Sequence, residues 1–237
     1  SVGPAELLRS FGFEVYFPEN HGALLGATRT AMDYIPEAVK CGYSGHVCSY
    51  TTSDIGSYLK NETPLQTHYG MKGIPPPDLL VYNTNQCREV EDWFTFYADA
   101  LKVPIIGIHP PRHLDEVTSD ETDLVIKQFK KMIPVCEQVS SVKYDEDRFK
   151  EVLKLSKEAT LLWQQALRTS TSLNAPLSFF DATIHMGPIV VLRGTELAKN
   201  YYELLVKELN EYVINGTGFL TKTKYRIFWE GMPVWGK

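Results

Sequence analysis

The stretch of sequence that decides the fold class is PPPDLLVYNTN, residues 75–85. Its centre, residues 78–82, is an apolar run bounded by prolines before it and by Asn83, Thr84 and Asn85 after it. Such a run is typical of a strand buried on both faces of a parallel sheet. The pattern therefore predicts a buried strand at 78–82.

The next segments extend this strand into a βαβ unit. Residues 89–100 have the apolar spacing of an amphipathic helix, and residues 103–108 are a second apolar run. Helical spacing also predicts helices over 29–39, 47–59 (with Ser44 as a cap), 122–139, 145–169 and 196–214, a loop at 140–144, and short strands at 13–17 and 225–229.

These elements predict an α/β fold, a Rossmann-like parallel sheet flanked by helices, followed by a long helical section and the start of a second α/β domain. The corresponding domains are 1–115, 116–218 and 219–237. One strand at 225–229 forms no sheet alone, so we expect the polypeptide to continue beyond Lys237. The abrupt opening at Ser1 likewise predicts an internal start.

Charge and hydropathy argue against two classes of partner. The chain has 24 Lys and Arg against 29 Asp and Glu, whereas a nucleic-acid surface needs clustered basic residues. No apolar run approaches the about 18 residues of a membrane span, and no secretory signal is present. We expect a cytoplasmic protein with reduced thiols, without nucleic-acid or membrane partners.

Two of the four cysteines occupy positions suited to chemistry. Cys87 follows the strand 78–82 at the start of the next helix, and ligands bind at that edge of open α/β sheets. Cys48 lies near the start of its own helix, where free N–H groups favour a thiolate or an anionic cluster. By contrast, Cys136 fits a small buried apolar residue, and Cys41 at a helix end is intermediate.

The remaining candidates are individual polar residues. Glu19 and His21, in a predicted loop, are an acid next to a base. Arg193 either holds an anionic group or is a surface arginine at a turn. His109 and His113 either pair on a metal or are solvated. No P-loop or GxGxxG motif supports nucleotide binding.

Two ordered cysteine motifs carry a family resemblance. The first is VCSYTTSDIG, residues 47–56, and the second is PPDLLV at 76–81 with Cys87 and the WF pair at 93–94. Further similarity lies at 127–130, 137–140, 142–145, 187–188, 193–194, 225–226 and 230–231. With these motifs the chain resembles a large iron–sulfur subunit of the 2-hydroxyacyl-CoA dehydratase and benzoyl-CoA reductase family.

The resemblance implies a [4Fe–4S] cluster held by three cysteines, with Cys48 and Cys87 as two ligands and the third outside this chain. It further implies a second homologous large subunit, an ATP-hydrolysing iron–sulfur activator protein and an acyl-CoA substrate. Glu19 and His21 are then candidate catalytic residues, and Arg193 is a candidate substrate-binding residue.

The resemblance leaves the reaction open. One low-potential electron either dehydrates an (R)-2-hydroxyacyl-CoA to a 2-enoyl-CoA through a ketyl radical, or serves to dearomatise benzoyl-CoA. Residues 48–51 favour the dehydratase and residues 137–145 the reductase. A cluster-free scaffold subunit and an iron–sulfur electron carrier are the other two hypotheses.

Overall fold

The computed structural model describes residues 4–71, 73–112, 116–221, 223–228 and 230, without the side chain of His68. Within these ranges the chain forms eleven helices and two strands. They are α1 Ala5–Ser10, α2 Pro18–Ala27, α3 Ala31–Lys40, α4 Ser49–Lys60, α5 Leu65–Tyr69, β1 Leu80–Asn83, α6 Arg88–Leu101, β2 Ile105–Ile108, α7 Ser119–Ser140, α8 Glu146–Thr169, α9 Phe179–His185, α10 Gly187–Val191 and α11 Glu196–Ile214.

The fold is α/β, as predicted, with a small parallel sheet among helices. The described residues divide into two compact units, one comprising 17–141 and the other the residues up to 16 together with those from 142 onward. Helix α7 belongs to the first unit. The domain boundaries at 115 and 218 stay a prediction.

In the first unit, β1 pairs in parallel with β2, and α6 connects them. Leu80 lies opposite Ile105 and Asn83 opposite Ile108, which confirms the predicted βαβ unit. The prediction that the first strand is buried on both faces is wrong for its middle, where Val81 is only half-buried. The sheet of the described residues has two strands, too few to enclose β1.

Helix α4 is the central helix of this unit. Its residues 51–57 are all buried, so helices pack around it instead of against one face. Glycine permits two close approaches: a Cβ at Gly56 would overlap the Tyr34 carbonyl of α3, and one at Gly22 of α2 would lie 2.9 Å from the Tyr50 Cβ. The apolar core of the unit comprises Ala38, Ile55, Leu80, Val90, Trp93, Phe94, Tyr97 and Ala98.

The second unit is built on the long helices α8 and α11, with α1 packed against α8. Small residues, Ala159, Ala166 and Ala198, are fully buried in its core and let the helices approach closely. Tyr202 is also buried there, where its hydroxyl donates to the His185 carbonyl at 2.6 Å and accepts from Ile189 N–H at 2.9 Å.

The predicted helices are confirmed in type, but both isolated strands are wrong. Residues 13–17, before α2, and residues 225–228 form no regular structure; Trp229 lies outside the described residues. In neither place does another strand of the described chain supply ladder hydrogen bonds, without which an extended segment is no strand. The cap predicted at Ser44 is also wrong, because the N-cap of α4 is Cys48.

Candidate functional site

Cys48 is the N-cap residue of α4, and its side chain is exposed. No side chain of the described residues caps this helix end, so its first N–H groups favour a negatively charged ligand. The thiol also affects the neighbouring Tyr50: burial first, and the charge of Cys48 second, raise the pKa of Tyr50. Cys48 therefore presents an accessible sulfur at the positive end of a buried helix.

Cys87 has the same arrangement as the N-cap residue of α6. Its exposed side chain borders a cleft of about 360 Å³ at the carboxyl ends of β1 and β2, where the sequence predicted it. The other residues lining the cleft are Asn83, Thr84, Arg88, Glu91, His109 and Arg112.

Polar contacts organise the walls of this cleft. The Tyr82 hydroxyl donates to Glu91 Oε1 at 3.2 Å, and the Arg88 guanidinium lies 3.5 Å from Glu91 Oε2. Burial and the hydrogen bond to Glu91 raise the pKa of Tyr82. Gly107 lies beneath the wall, where a Cβ would lie 2.6 Å from the Tyr82 ring and 2.9 Å from His109 Nε2.

A buried hydrogen-bond network centres on Asp54 of α4, whose side chain is fully buried. Its Oδ1 accepts from His21 Nδ1 at 2.5 Å. Its Oδ2 accepts from Trp93 Nε1 at 2.8 Å and from the Tyr97 hydroxyl at 2.5 Å. The other ring nitrogen of His21 is hydrogen-bonded to Thr63 Oγ1 at 2.8 Å. The network thus joins α2, α4 and α6.

Glu19 and His21 lie in α2, so their predicted placement in a loop is wrong. Pro18 occupies the first helical position, where its fixed φ and missing N–H suit a helix start. His21 is buried with both ring nitrogens hydrogen-bonded inside the protein. The catalytic roles of both residues stay a prediction.

Arg193 belongs to the second unit and contacts protein groups there. Its Nη1 donates to Ser156 Oγ at 3.1 Å and to Glu6 Oε1 at 3.4 Å. Glu6 Oε1 also accepts from the Ser156 hydroxyl at 2.7 Å. These contacts link α1 and α8 to the segment after α10, and a substrate-binding role for Arg193 stays a prediction.

The two other cysteines differ from each other. Cys136 is fully buried in α7, as predicted, and burial raises its pKa to about 11. Cys41 is exposed at the C-cap of α3, the opposite end of a helix from that of Cys48 and Cys87. His109 lines the cleft, whereas His113 lies outside the described residues.

Two of the cysteines have the chemistry of ligands to a thiolate-bound metal group. Cys48 and Cys87 offer two exposed sulfurs at helix N-termini, the chemistry that an iron–sulfur cluster requires. In the part of the chain that the structure describes, no three His, Cys, Asp or Glu residues group as metal ligands. Each cysteine therefore offers the sulfur donor that a cluster ligand needs, and a complete ligand set would need at least one donor besides these two.

A helix that crosses a membrane must be both long and apolar. Among the helices of the described ranges, none meets both conditions.

Comparison with known proteins gives the family. Residues 1–237 match the family described as 2-hydroxyglutaryl-CoA dehydratase, D-component. The chain belongs to this family. The resemblance inferred from the two cysteine motifs is thereby confirmed.

Curated relatives of this chain are named as enzyme subunits. It is 32% identical over 240 residues to the (R)-2-hydroxyisocaproyl-CoA dehydratase alpha subunit of Clostridioides difficile, covering 99% of the chain and 57% of the relative. It is 30% identical to the (R)-phenyllactyl-CoA dehydratase alpha subunit of Clostridium sporogenes, over 98% of the chain and 56% of the relative.

A subunit of the benzoyl-CoA reductase of Thauera aromatica is similar to the same degree, with 32% identity over 97% of the chain and 55% of the relative. The chain therefore spans a little over half the length of each of these relatives. Their names describe subunits of dehydratases and of a reductase that act on CoA thioesters.

Sequence reasoning missed the polar network. Asp54, Thr63, Trp93 and Tyr97 were not singled out, although Asp54 and Trp93 both fall within the cysteine motifs. The available signal was an acid and an indole donor, each six residues after a motif cysteine.

Proposed function

We propose that this chain is part of an iron–sulfur subunit of a CoA-thioester enzyme that dehydrates an (R)-2-hydroxyacyl-CoA to a 2-enoyl-CoA by single-electron chemistry. The observation that carries the proposal is the family match over the whole chain, with dehydratase alpha subunits among its relatives. The exposed cysteines at the starts of α4 and α6 support it.

The proposed cofactor is a [4Fe–4S] cluster with Cys48 and Cys87 among its ligands. Such a cluster supplies a low-potential electron and, at an iron without a cysteine ligand, a Lewis acid for oxygen. The helix N-termini at both cysteines stabilise the negative charge that thiolates bring.

The proposed partners are a second homologous large subunit and an ATP-hydrolysing iron–sulfur activator, in the cytoplasm. The alpha-subunit names of the relatives support a multi-subunit enzyme. Glu19 and His21 are carried into this proposal as candidate catalytic residues, and Arg193 as a candidate substrate-binding residue.

The second candidate is a subunit of a dearomatising benzoyl-CoA reductase. The identity to the Thauera reductase subunit, 32%, equals the higher of the two dehydratase identities. A scaffold without a cluster and an electron carrier without substrate chemistry are the remaining alternatives, and the same assay addresses them.

The test is a substrate assay of the full-length protein with its partner subunit and activator, prepared without oxygen. We expect the 2-enoyl-CoA product from a 2-hydroxyacyl-CoA only when ATP and the activator are present. A Cys87→Ala variant should lose this activity, whereas Cys41→Ala should retain it because Cys41 lies at a helix C-terminus.

Other outcomes assign the alternatives. ATP-dependent reduction of benzoyl-CoA, without conversion of 2-hydroxyacyl-CoA esters, identifies the reductase. Iron binding without turnover or binding of either ester supports the electron carrier, and absence of iron supports the scaffold.

A further inference from the structure

We infer that Asp54, Trp93 and Tyr97 are positioning residues that fix helix α4 against helix α6 and so set the placement of Cys48 relative to Cys87. This inference rests on the proposed function in one respect, that the two cysteines serve one cluster. It assigns a role to a network that touches neither sulfur directly.

The contacts that join the two helices are short and buried. Trp93 Nε1 and the Tyr97 hydroxyl, both on α6, donate to the same oxygen, Asp54 Oδ2, at 2.8 and 2.5 Å. Asp54 and Trp93 are 0% and 1% exposed, so water does not compete for these bonds. Two donors from successive turns of one helix on a single acceptor restrain rotation as well as separation.

We call the hydrogen bonds from Trp93 and Tyr97 to Asp54 the joint. It lies at the same sequence offset from each cysteine. Asp54 follows Cys48 by six residues and Trp93 follows Cys87 by six residues. At 1.5 Å per residue, each cysteine lies about 9 Å along its helix from the joint. A small tilt at the joint therefore displaces each helix start, and with it the thiol.

A third helix holds the carboxyl group itself. His21 of α2 binds Asp54 Oδ1 at 2.5 Å, and Thr63 binds the other side of the His21 ring at 2.8 Å. Gly56 brings the α3 backbone against α4 two residues after Asp54. Contacts with α2 and α3 therefore hold Asp54 in place independently of α6.

An apolar core alone would not give this precision. The energy of aliphatic contacts changes only gradually when one helix slides along another. A buried donor that leaves its acceptor stays unpaired, which costs free energy. Ile55, Val90 and Phe94 supply packing around the joint, and the three hydrogen bonds on Asp54 select one arrangement.

The experiment measures the placement of the two thiols by crosslinking. The full-length protein with its partner subunit, prepared without iron, is treated with bis-maleimides of increasing spacer length. The Cys48–Cys87 link is quantified by peptide mass spectrometry, together with the alkylation rate of each thiol by a mono-maleimide. The variants are Trp93→Phe and Tyr97→Phe, which keep an aromatic ring and remove the donor.

Tyr58→Phe is the matched control. The ring of Tyr58 packs against that of Tyr97, with 5.3 Å between the ring centroids. Its hydroxyl is not one of the three groups bound to Asp54 among the described residues. Folding of each variant is checked by circular dichroism and by continued resistance of buried Cys136 to alkylation. A merely structural role would lower stability without changing the spacer preference of the folded protein.

We expect the parent and Tyr58→Phe to link best at one spacer length. Removing one hydrogen bond to the buried carboxyl group raises the weight of displaced arrangements about tenfold. Trp93→Phe and Tyr97→Phe should therefore spread the link over several spacers, with unchanged mono-alkylation rates. A preference that both variants preserve overturns this inference alone, and a parent that links at no spacer also contradicts the shared cluster.

Discussion

Asp54 brings a carboxyl group to a position without solvent exposure, where an indole, a phenol and an imidazole bind it. Each of these groups loses water on folding and regains one hydrogen bond. The network therefore stabilises the fold only when all of its hydrogen bonds are made, because removing the carboxyl group leaves three donors without their acceptor.

We expect Asp54→Ala to lower the free energy of unfolding by about 3–5 kcal/mol, the cost of removing one member of a buried polar cluster. Trp93→Phe removes one hydrogen bond to that group, which alone should cost about 1.5–3 kcal/mol, and also leaves a small cavity where the larger ring was buried. Urea unfolding followed by circular dichroism measures both.

Asp99→Ala is the control for this series, because Asp99 is exposed on α6 and its loss should change the free energy by no more than about 0.5 kcal/mol. An Asp54→Ala variant as stable as Asp99→Ala would contradict the role given to the network.

The sequence did not predict this network for a physical reason. Residues 51–57, TTSDIGS, have the composition of a solvated helix face, yet all are buried. Their burial becomes favourable only through partners far along the chain: Trp93 lies 39 residues and Tyr97 43 residues after Asp54. Local pattern does not encode such pairings. Cys87 was placed correctly because the strand before it and the helix after it are both local signals.

A second expectation at this scale concerns Cys136 and alkaline pH. Burial raises its pKa from 9.0 to about 11, so the folded state favours the neutral thiol. This contribution to stability is complete below pH 9, the unfolded value, and is lost as the pH rises toward 11. The parent should therefore lose more stability between pH 9 and 11 than Cys136→Ala does.

The comparison of unfolding curves at about pH 8 and about pH 10.5, on either side of the unfolded thiol's pKa, measures that difference. Cys41→Ala, which removes an exposed thiol, should keep the pH slope of the parent. Equal slopes in the parent and in Cys136→Ala would contradict the burial argument.

Among the helices, the ends of α8 and α11 were predicted to within one residue. Helix α8 begins with Asp145 accepting from the N–H groups of Asp147 and Arg148. Helix α7 instead begins three residues before its predicted start at 122, after a capping box between Thr118 and Glu121. Helix α11 ends at Asn215 before Gly216, as predicted. The strand predicted at 13–17 failed, as did the described part, 225–228, of the strand predicted at 225–229, because a strand depends on a partner elsewhere in the chain.

Close approach of α3 to α4 leads to a third expectation. A Cβ at Gly56 overlaps the Tyr34 carbonyl, so Gly56→Ala must push the two helices apart. We expect a loss of about 1–3 kcal/mol in the free energy of unfolding, typical of an overpacked core. Thermal and urea unfolding measure it.

Gly26→Ala is the matched helical control, because a Cβ there would meet nothing within 4 Å among the described residues apart from its chain neighbours and its own helix backbone. It should leave stability unchanged or raise it by up to about 1 kcal/mol, as alanine is the better helix former. If Gly56→Ala behaved like Gly26→Ala, the helices would not be in the contact described.

For the whole molecule, two compact units share one chain, and both candidate cluster cysteines lie in the first. Each starts a helix that is bound into the Asp54 network. The family match spans both units, while the relatives extend to nearly twice this length. A further cluster ligand therefore has room elsewhere in a full-length protein of this family.

The most direct test of this account is the iron and acid-labile sulfide content of the full-length protein after anaerobic reconstitution. We expect about four irons per subunit, the content of one [4Fe–4S] cluster. Cys48→Ala and Cys87→Ala should each lose them, while Cys41→Ala keeps them. Iron bound equally well without Cys48 or Cys87 would contradict the assignment of these cysteines and leave a scaffold as the better description.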